Sequence, residues 1–350
     1  MERHGGPEAL VVRDTQTPVP GPGQVRVRVG AAGVNNTDIW TREGRYGTAD
    51  DPDAVVGWRG VPIETPRIQG ADVAGIVDAV GPGADEGLVG RRVLLDPATY
   101  ADAAPDADPV QILGSEYDGG FAEYCVVAQE AAHDVTSSPL TDVELACLPI
   151  AYGTAAGMLG RAGASAGETV VVTGASGGVG TALVQLASAA GLTVVAVSTV
   201  AKAARLAELG ASAVVDRGSA RLPDDVAEAA PGGVHLVADV VGGPLFSLWP
   251  GLLARRGRIV VAGGFAGPVV SIDLRQLYLG QRRIIGSTMH TREHFAALVD
   301  VARRGDVRPP VAEVFPLGRI HDAQEAIRAT DTLGKVVVEV GSDVGHSGTR

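Results

Sequence analysis

Thr169–Thr199 reads TVVVTGASGGVGTALVQLASAAGLTVVAVST. It opens on a short apolar run, Val170-Val171-Val172, whose length and β-branching suit a buried strand of a parallel sheet. A glycine-rich turn follows, with Gly174, Gly177 and Gly180 three residues apart and Ser176, Gly178 and Val179 among them. Leu183, Leu186, Ala187 and Ala190 then recur at helical spacing, Gly191 stops the helix, and Val194-Val195-Ala196-Val197 makes a second apolar strand. Strand, glycine turn, helix and strand within about 30 residues is the unit that binds a dinucleotide. Gly174 allows the tight turn, Gly177 lets the backbone approach a pyrophosphate, and Gly180 lets the helix pack closely on the sheet. The helix N-terminus adds N–H groups and partial positive charge for the phosphates. An ordinary βαβ crossover shares parts of this pattern, so the flanking chain has to be read with it.

The 350 residues leave room for two domains, each with its own core. Apolar residues at 45% and charged residues at 20% describe a soluble globular chain. A net charge of −12 leaves no basic surplus for phosphates, which argues against a nucleic-acid partner. Two cysteines, Cys125 and Cys147, make neither a disulfide framework nor a structural zinc set, and they fit a reducing compartment. MERHGGPEAL at the start has no apolar signal core, and no run approaches the roughly 18 residues that would span a bilayer. The expectation is a cytoplasmic protein without a membrane partner.

Downstream of Thr199 the sequence alternates: helix 201–209, strand 213–215, helix 223–230, strand 234–241, helix 244–254, strand 258–262, strand 283–287, helix 292–304. Apolar strands with intervening helices describe a doubly wound parallel sheet of about six strands. Upstream, residues 8–33 read as β-structure with turns, and Val25, Val27 and Val29 alternate with Arg26 and Arg28 as a half-buried strand should. Further β-signal at 72–80, 92–95 and 121–127, punctuated by glycines, suggests an antiparallel or barrel-like domain. Two long stretches, 47–66 and 97–119, are rich in Asp, Pro and Gly and read as functional loops or solvated excursions, with Trp58 a candidate lid aromatic. Thr141-Asp142-Val143-Glu144 is a capping box opening a helix, Pro149 breaks it, and a second helix runs from about Tyr152 to Arg161. After residue 305 come a helix at 318–329, a last strand at 335–340 and a flexible tail.

The segments GVNNTD at 33–38, GADVAGIVDAVG at 70–81, GGFAEY at 119–124, the glycine turn and LGKVVVEV at 334–341 together resemble the medium-chain dehydrogenase/reductase superfamily along nearly the whole chain. The resemblance implies an α/β protein: a Rossmann doubly wound parallel sheet domain plus a GroES-like β-barrel domain. The expected division is a GroES-like catalytic domain at 1–135, a Rossmann NADPH-binding domain at 136–304, a return to the catalytic domain at 305–341, and the tail at 342–350. It implies an active site in the cleft between domains. Where zinc-dependent members carry metal ligands, this chain has Asn35, Ala71 and Ile150, with Cys147 offset by three residues. An amide and two aliphatic side chains cannot replace thiolate and imidazole, so no zinc is expected. The chain is therefore similar to the zinc-independent quinone oxidoreductase-like branch. The function implied is hydride transfer from NADPH to an activated C=C or a quinone. Alternatives are a carbonyl reductase or alcohol dehydrogenase on the same fold, or a low-turnover NADPH-binding structural protein.

Where an NAD enzyme places a carboxylate for the ribose hydroxyls, this chain has Ser198 and Thr199, followed by Lys202. Two hydroxyls and a cation suit a 2′-phosphate, so NADPH is favoured over NADH, although Lys202 and Arg205 also fit a plain exposed helix face. Arg217 matches a position that quinone reductases place beside the adenosine. Ligands sit at the carboxyl ends of parallel strands, here Val241-Gly242, Gly263-Gly264-Phe265 and Ser287-Thr288. By resemblance, Thr154 packs against the nicotinamide and Lys335 approaches the cofactor.

For the substrate, the resemblance points to Asn35 in the lost metal position, Thr37 at the relay hydroxyl, Tyr46 lining the pocket and Asp72 at the place of a glutamate. A structural hydrogen-bond role suits each equally well. Trp40 stands where the relay histidine would be, which leaves water as a proton source; Asp38 lies in the same stretch, which by resemblance faces the nicotinamide, and His290 follows a strand end as a candidate acid. The expected partners are a small-molecule substrate and a second copy paired through the strand at 283–287.

Overall fold

The computed structural model describes residues 1–46, 63–328 and 332–341. Its chain divides into two compact units, Met1–Ile150 with Phe295–Arg350, and Ala151–His294. Trp58, most of the 47–66 stretch and the 342–350 tail lie outside the described residues.

In the first unit the chain makes β1 (Gln24–Gly33), α1 (Asn36–Arg42), β2 (Asp72–Val80) and β3 (Arg92–Leu95). The hairpin β4 (Ala98–Tyr100) and β5 (Pro109–Ile112) follows, then β6 (Tyr124–Ala128), β7 (Ala132–Asp134) and α2 (Asp142–Leu145). β1 is the spine, antiparallel to both β2 and β6. Its alternating Val25, Val27 and Val29 are fully buried while Arg28 points out, each buried valine being worth about 1.5–3 kcal/mol. The expected loop at 97–119 thus carries a hairpin, and residues 8–23 hold no strand, only a short 3₁₀ turn at Pro7–Ala9. The capping box at Thr141 forms as read: Thr141 Oγ1 accepts from Glu144 N, and Glu144 Oε2 accepts from Thr141 N.

α3 (Pro149–Ala162) leads into the second unit, where β8 (Thr169–Val172), α4 (Gly178–Ala189), β9 (Thr193–Ser198), α5 (Ala203–Glu208) and β10 (Ala213–Asp216) follow. Then come α6 (Leu222–Ala229), β11 (Val234–Asp239), α7 (Trp249–Leu252), β12 (Leu253–Val261), α8 (Leu274–Gly280) and β13 (Arg283–Gly286). The sheet runs β10-β9-β8-β11-β12-β13 with every pair parallel, the strand order of a doubly wound dinucleotide fold with its switch point between β8 and β11. The helix expected at 244–254 is instead a 3₁₀ stretch, Gly243–Leu248, followed by the short α7. Pro244 and Pro250 each lack the N–H that a continuous helix would need.

α9 (Arg292–Arg304) carries the chain back, followed by β14 (Val311–Pro316), α10 (Ile320–Ala326) and β15 (Lys335–Glu339). β15 pairs antiparallel with β1 and parallel with β14, so the first unit's sheet runs β14-β15-β1-β2-β3-β7, with β6 also on β1. The unit boundaries fall at 150 and 295, not at 135 and 304. α2 touches β1, β2 and both returning strands. Within α9, Phe295 meets the His133 ring, Ala302 O accepts from Ser138 Oγ, and Arg303 Nε donates to Asp134 O. Those contacts claim both helices for the first unit. Among the described residues no helix is long and apolar enough to cross a membrane.

Candidate functional site

In the second unit, Gly174 ends β8 with φ +57 and so turns the chain sharply. A Cβ placed on Gly180 would lie 2.1 Å from Gly174 O and 2.7 Å from Ala175 Cα, so the helix start is seated on the turn itself. A Cβ on Gly177 would meet only Gly174 O, at 3.5 Å. Gly177 is exposed and caps α4, whose first N–H groups have no intrahelical partners. One glycine of the turn is therefore required by packing, and another leaves open a cradle that a side chain would fill. Lys202 Nζ donates to Ser176 Oγ at 3.2 Å, which joins the cation after β9 to the glycine turn after β8.

A second clasp fixes the neighbouring strand end. Asp239, fully buried at the end of β11, accepts through Oδ1 from Thr173 Oγ1 at 2.5 Å, Val241 N at 2.8 Å and Gly242 N at 3.2 Å. Thr173 Oγ1 in turn accepts from Val240 N. The two strand ends flanking the switch point are thus locked together. Gly263, Gly264 and the exposed Phe265 follow β12 on the same side of the sheet, because all six strands are parallel. Thr199, Lys202 and Arg217 keep surface available after β9 and β10, whereas Ser198 is buried in the strand end. Thr154 is buried on α3. His290 is fully buried, its ring occupying the space a side chain at Gly153 would need, which does not suit an acid that must meet substrate.

In the first unit, strand register assembles the site. β1 pairs Gly33 with Val337 of β15 and with Asp72 of β2. Two residues beyond Gly33, Asn35 therefore meets Lys335 across one edge and lies beside Asp72 on the other. Lys335 Nζ donates to Asp72 Oδ2 at 2.8 Å, Asn35 Oδ1 at 2.5 Å and Val34 O at 2.9 Å. Asn35 Nδ2 donates to Asp72 Oδ2 at 2.9 Å, and Ile150 N donates to Asp72 Oδ1 at 2.6 Å. Lys335 is 4% exposed and Asp72 not at all. The expectation of Lys335 against the cofactor is thus replaced by an internal ion pair, since an ammonium has three protons and all three are spent. Asp72 likewise supports Asn35 and is sealed from any substrate.

Asn35 caps α1, where its N–H donates to Asp38 Oδ2 at 2.8 Å. Burial pushes the Asp38 carboxyl up to about 7, against the pull of its backbone hydrogen bonds from Asn35 and Gly70 and of the Lys335 charge. Gln69 Nε2 donates to Asp38 O, and Gln324 Nε2 of α10 donates to Gln69 Oε1. Thr37 and Tyr46 share a side-chain hydrogen bond, and Tyr46 stands edge-on to Trp40 with centroids 6.3 Å apart. Burial raises the Tyr46 phenol above its ordinary value. Cys147 is buried, its thiol pushed up to about 12 chiefly by burial, and it donates to Val143 O. Among the described residues no three His, Cys, Asp or Glu side chains gather as a metal site.

These two constellations can now be set beside known proteins. Residues 21–137 match the alcohol dehydrogenase GroES-like domain, and residues 178–304 match the zinc-binding dehydrogenase family. The quinone oxidoreductase of Rattus norvegicus is 30% identical over 95% of this chain and 94% of its own length. The chain belongs to the medium-chain dehydrogenase/reductase superfamily. A putative alcohol dehydrogenase from Sinorhizobium meliloti superposes with a TM-score of 0.92 at 45% identity, covering 97% of this chain and 95% of that one. A 2-octenoyl-CoA carboxylase reductase solved with NADP and 2-octenoyl-CoA superposes with a TM-score of 0.84 at 25% identity, covering 97% and 85%. The fold is the superfamily's, a GroES-like domain with a parallel-sheet Rossmann domain, and the protein is an oxidoreductase of that superfamily expected to use a nicotinamide cofactor.

Within that superfamily framework, sequence reading named Asn35, Thr37, Tyr46 and Asp72, and the first unit does bring Asn35 and Asp72 together, and Thr37 to Tyr46. It missed Asp239 and Thr173, whose pairing only parallel alignment of β8 and β11 reveals. It also missed the Ile150 N–H and the bond from Lys335 to Asn35, made across 300 residues of sequence.

Proposed function

We propose that the protein is a zinc-independent oxidoreductase that transfers hydride from NADPH to a C=C conjugated to a carbonyl, or to a quinone. The observation that carries the zinc-independent reading is the Lys335 ammonium held 2.5 Å from Asn35 Oδ1 and 2.8 Å from Asp72 Oδ2. Metal ligands must converge with open lone pairs. Here the available lone pairs already face a fixed positive charge, which would repel a dication.

The cofactor reading rests on the open cradle at Gly177, the start of α4 and the Lys202–Ser176 pair. Gly174–Gly180 would hold the pyrophosphate, Thr199, Lys202 and Arg217 the adenosine phosphate, and Val241-Gly242 with Gly263–Phe265 the remaining length. When bound, the reduced nicotinamide supplies the hydride. Hydride addition at the β-carbon of an enone forms a C–H bond and moves the π electron pair onto the carbonyl oxygen. The Asn35 amide and the Tyr46 hydroxyl are donors of the kind that stabilise such an oxyanion. A proton then adds at the α-carbon, from water or through the Thr37–Tyr46 hydroxyl pair. The exposed Leu274, Tyr278 and Leu279 of α8, with β13 the end strand of its sheet among the described residues, support a homodimer.

The test is oxidation of NADPH, followed at its nicotinamide absorbance, against enones, quinones and aldehydes. Turnover with enones or quinones, unaffected by chelator, is expected. Turnover with aldehydes alone, or its loss on chelation, would refute the proposal, and tight NADPH binding without turnover would point to a binding protein. Light scattering of the purified chain reports the dimer.

A further inference from the structure

We infer that Lys335 is a positioning residue: its buried ammonium, with the Asp72 carboxylate, fixes the Asn35 amide so that one of its N–H groups remains a committed hydrogen-bond donor for the substrate oxygen. This rests on the reading above that Asn35 serves the substrate.

An ammonium only donates and a carboxylate only accepts. Lys335 Nζ can therefore face only the Oδ1 side of Asn35, and Asp72 only the Nδ2 side, as found at 2.5 and 2.9 Å. Two charged groups of opposite sign thus decide the amide orientation between them. Neither can drift. Lys335 has spent its three protons, Asp72 Oδ1 is tied to Ile150 N, and both side chains are buried. One Nδ2 proton of Asn35 goes to Asp72, and the other enters no hydrogen bond among the described residues. Drawing charge out of the amide through Oδ1 also strengthens that remaining N–H as a donor. Without both charges no ionic group holds the amide against a half-turn that would present its carbonyl oxygen, an acceptor where an oxyanion has to be stabilised.

A single Lys335→Met change leaves Asp72 charged and unpartnered, so it risks the fold. The informative variant is Lys335→Met with Asp72→Asn, which removes both charges together. Four readouts are compared with wild type: melting temperature, NADPH Kd, single-turnover hydride transfer to an accepted enone, and the side-chain amide NMR signals of ¹⁵N-asparagine-labelled Asn35 in the cofactor-free protein. The expected result is a near-native melting temperature and an NADPH Kd within about 2-fold, hydride transfer slowed roughly 100-fold, and displaced, faster-exchanging Asn35 signals. Recovery of transfer together with stability would mean that the pair is only structural. A Kd that rises about 10-fold in step with the loss of transfer would make Lys335 a cofactor ligand; either outcome overturns the inference. If the wild type reduces no acceptor, the functional reading fails on its own. The Asn35 signals then still decide the inference, and unchanged signals in the double variant would end it.

Discussion

Two single-methyl substitutions in the glycine turn should separate folding from cofactor binding. In Gly180→Ala the new Cβ lies 2.1 Å from Gly174 O, 2.7 Å from Ala175 Cα and 2.8 Å from Ala175 C, all backbone atoms. The turn has to retreat by roughly 1 Å or more to regain contact distance. Overpacking of this kind costs about 1–3 kcal/mol, offset in part by up to about 1 kcal/mol from replacing a helical glycine. For a unit the size of Ala151–His294 the net cost lowers the melting temperature by a few degrees. In Gly177→Ala the nearest atom is 3.5 Å away and the backbone, at φ −78 and ψ 176, suits any residue. Stability should hold, or rise by about 0.4–1 kcal/mol through the unfolded state. The methyl nevertheless fills the cradle, and loss of one charge-assisted N–H contact to phosphate, about 1.5–3 kcal/mol, weakens NADPH binding roughly 10–100-fold. Thermal melts with and without NADPH read both effects, because a bound ligand raises the transition in proportion to RT ln(1 + [L]/Kd). Gly177→Ala should melt like wild type when alone and lose the NADPH-induced rise. If it keeps that rise in full, the pyrophosphate does not approach the turn at Gly177, and the cofactor assignment built on it is wrong.

Three further outcomes follow from single contacts. Lys202→Ala should raise the Kd for NADPH about 10-fold and leave NADH unchanged, as titration of nicotinamide fluorescence would report; equal losses for both cofactors would reduce Lys202 to an ordinary surface lysine. Arg258 is buried on β12, donating to both Glu168 oxygens, to Ala162 O and Gly163 O, and to His235 O, so Arg258→Ala should cost about 3–5 kcal/mol in denaturant unfolding. Asp38, at about 7 when folded and near the ordinary carboxyl value of 3.8 when unfolded, is neutral in both states at low pH and costs nothing there. Between those two values the folded state holds a proton that the unfolded state has lost, so stability falls as pH rises from about 4 to 7, by on the order of 4 kcal/mol in all. Asp38→Asn should remove that slope from melting temperatures recorded between pH 5 and 8, and an identical slope in the variant would assign it elsewhere.

The sequence carried the second unit almost whole, because its signals are local. Each strand there is a short run of apolar residues, each helix a periodic stretch, and the glycine turn a motif whose spacing has a mechanical reason. The losses came where a local signal was weak or misleading. β14 was missed since Val311–Pro316 sits between Pro309-Pro310 and Pro316, and prolines demote a strand whose pairing partner, β15, is not yet in view. α8 was missed because its seven residues are too few for the spacing of Leu274, Leu277 and Tyr278 to repeat.

The first unit's site was half legible for a different reason. Asn35 and Asp72 were named one at a time, each from the motif around it, and Lys335 was given to the cofactor by resemblance. What makes them a site is register. Once β15 runs antiparallel to β1 with Gly33 opposite Val337, a count of two residues outward along each strand sets Lys335 against Asn35. The same Gly33 faces Asp72 on β2. Three side chains from positions 35, 72 and 335 then converge, since a one-residue slip of β15 would move Lys335 off Asn35 and turn its side chain to the other face. The packing that buries Val336, Val337 and Val338 of β15 is therefore part of what holds an ammonium against an amide at the strand's end. Any change that lets β15 slip should disarm Asn35 without touching a polar residue.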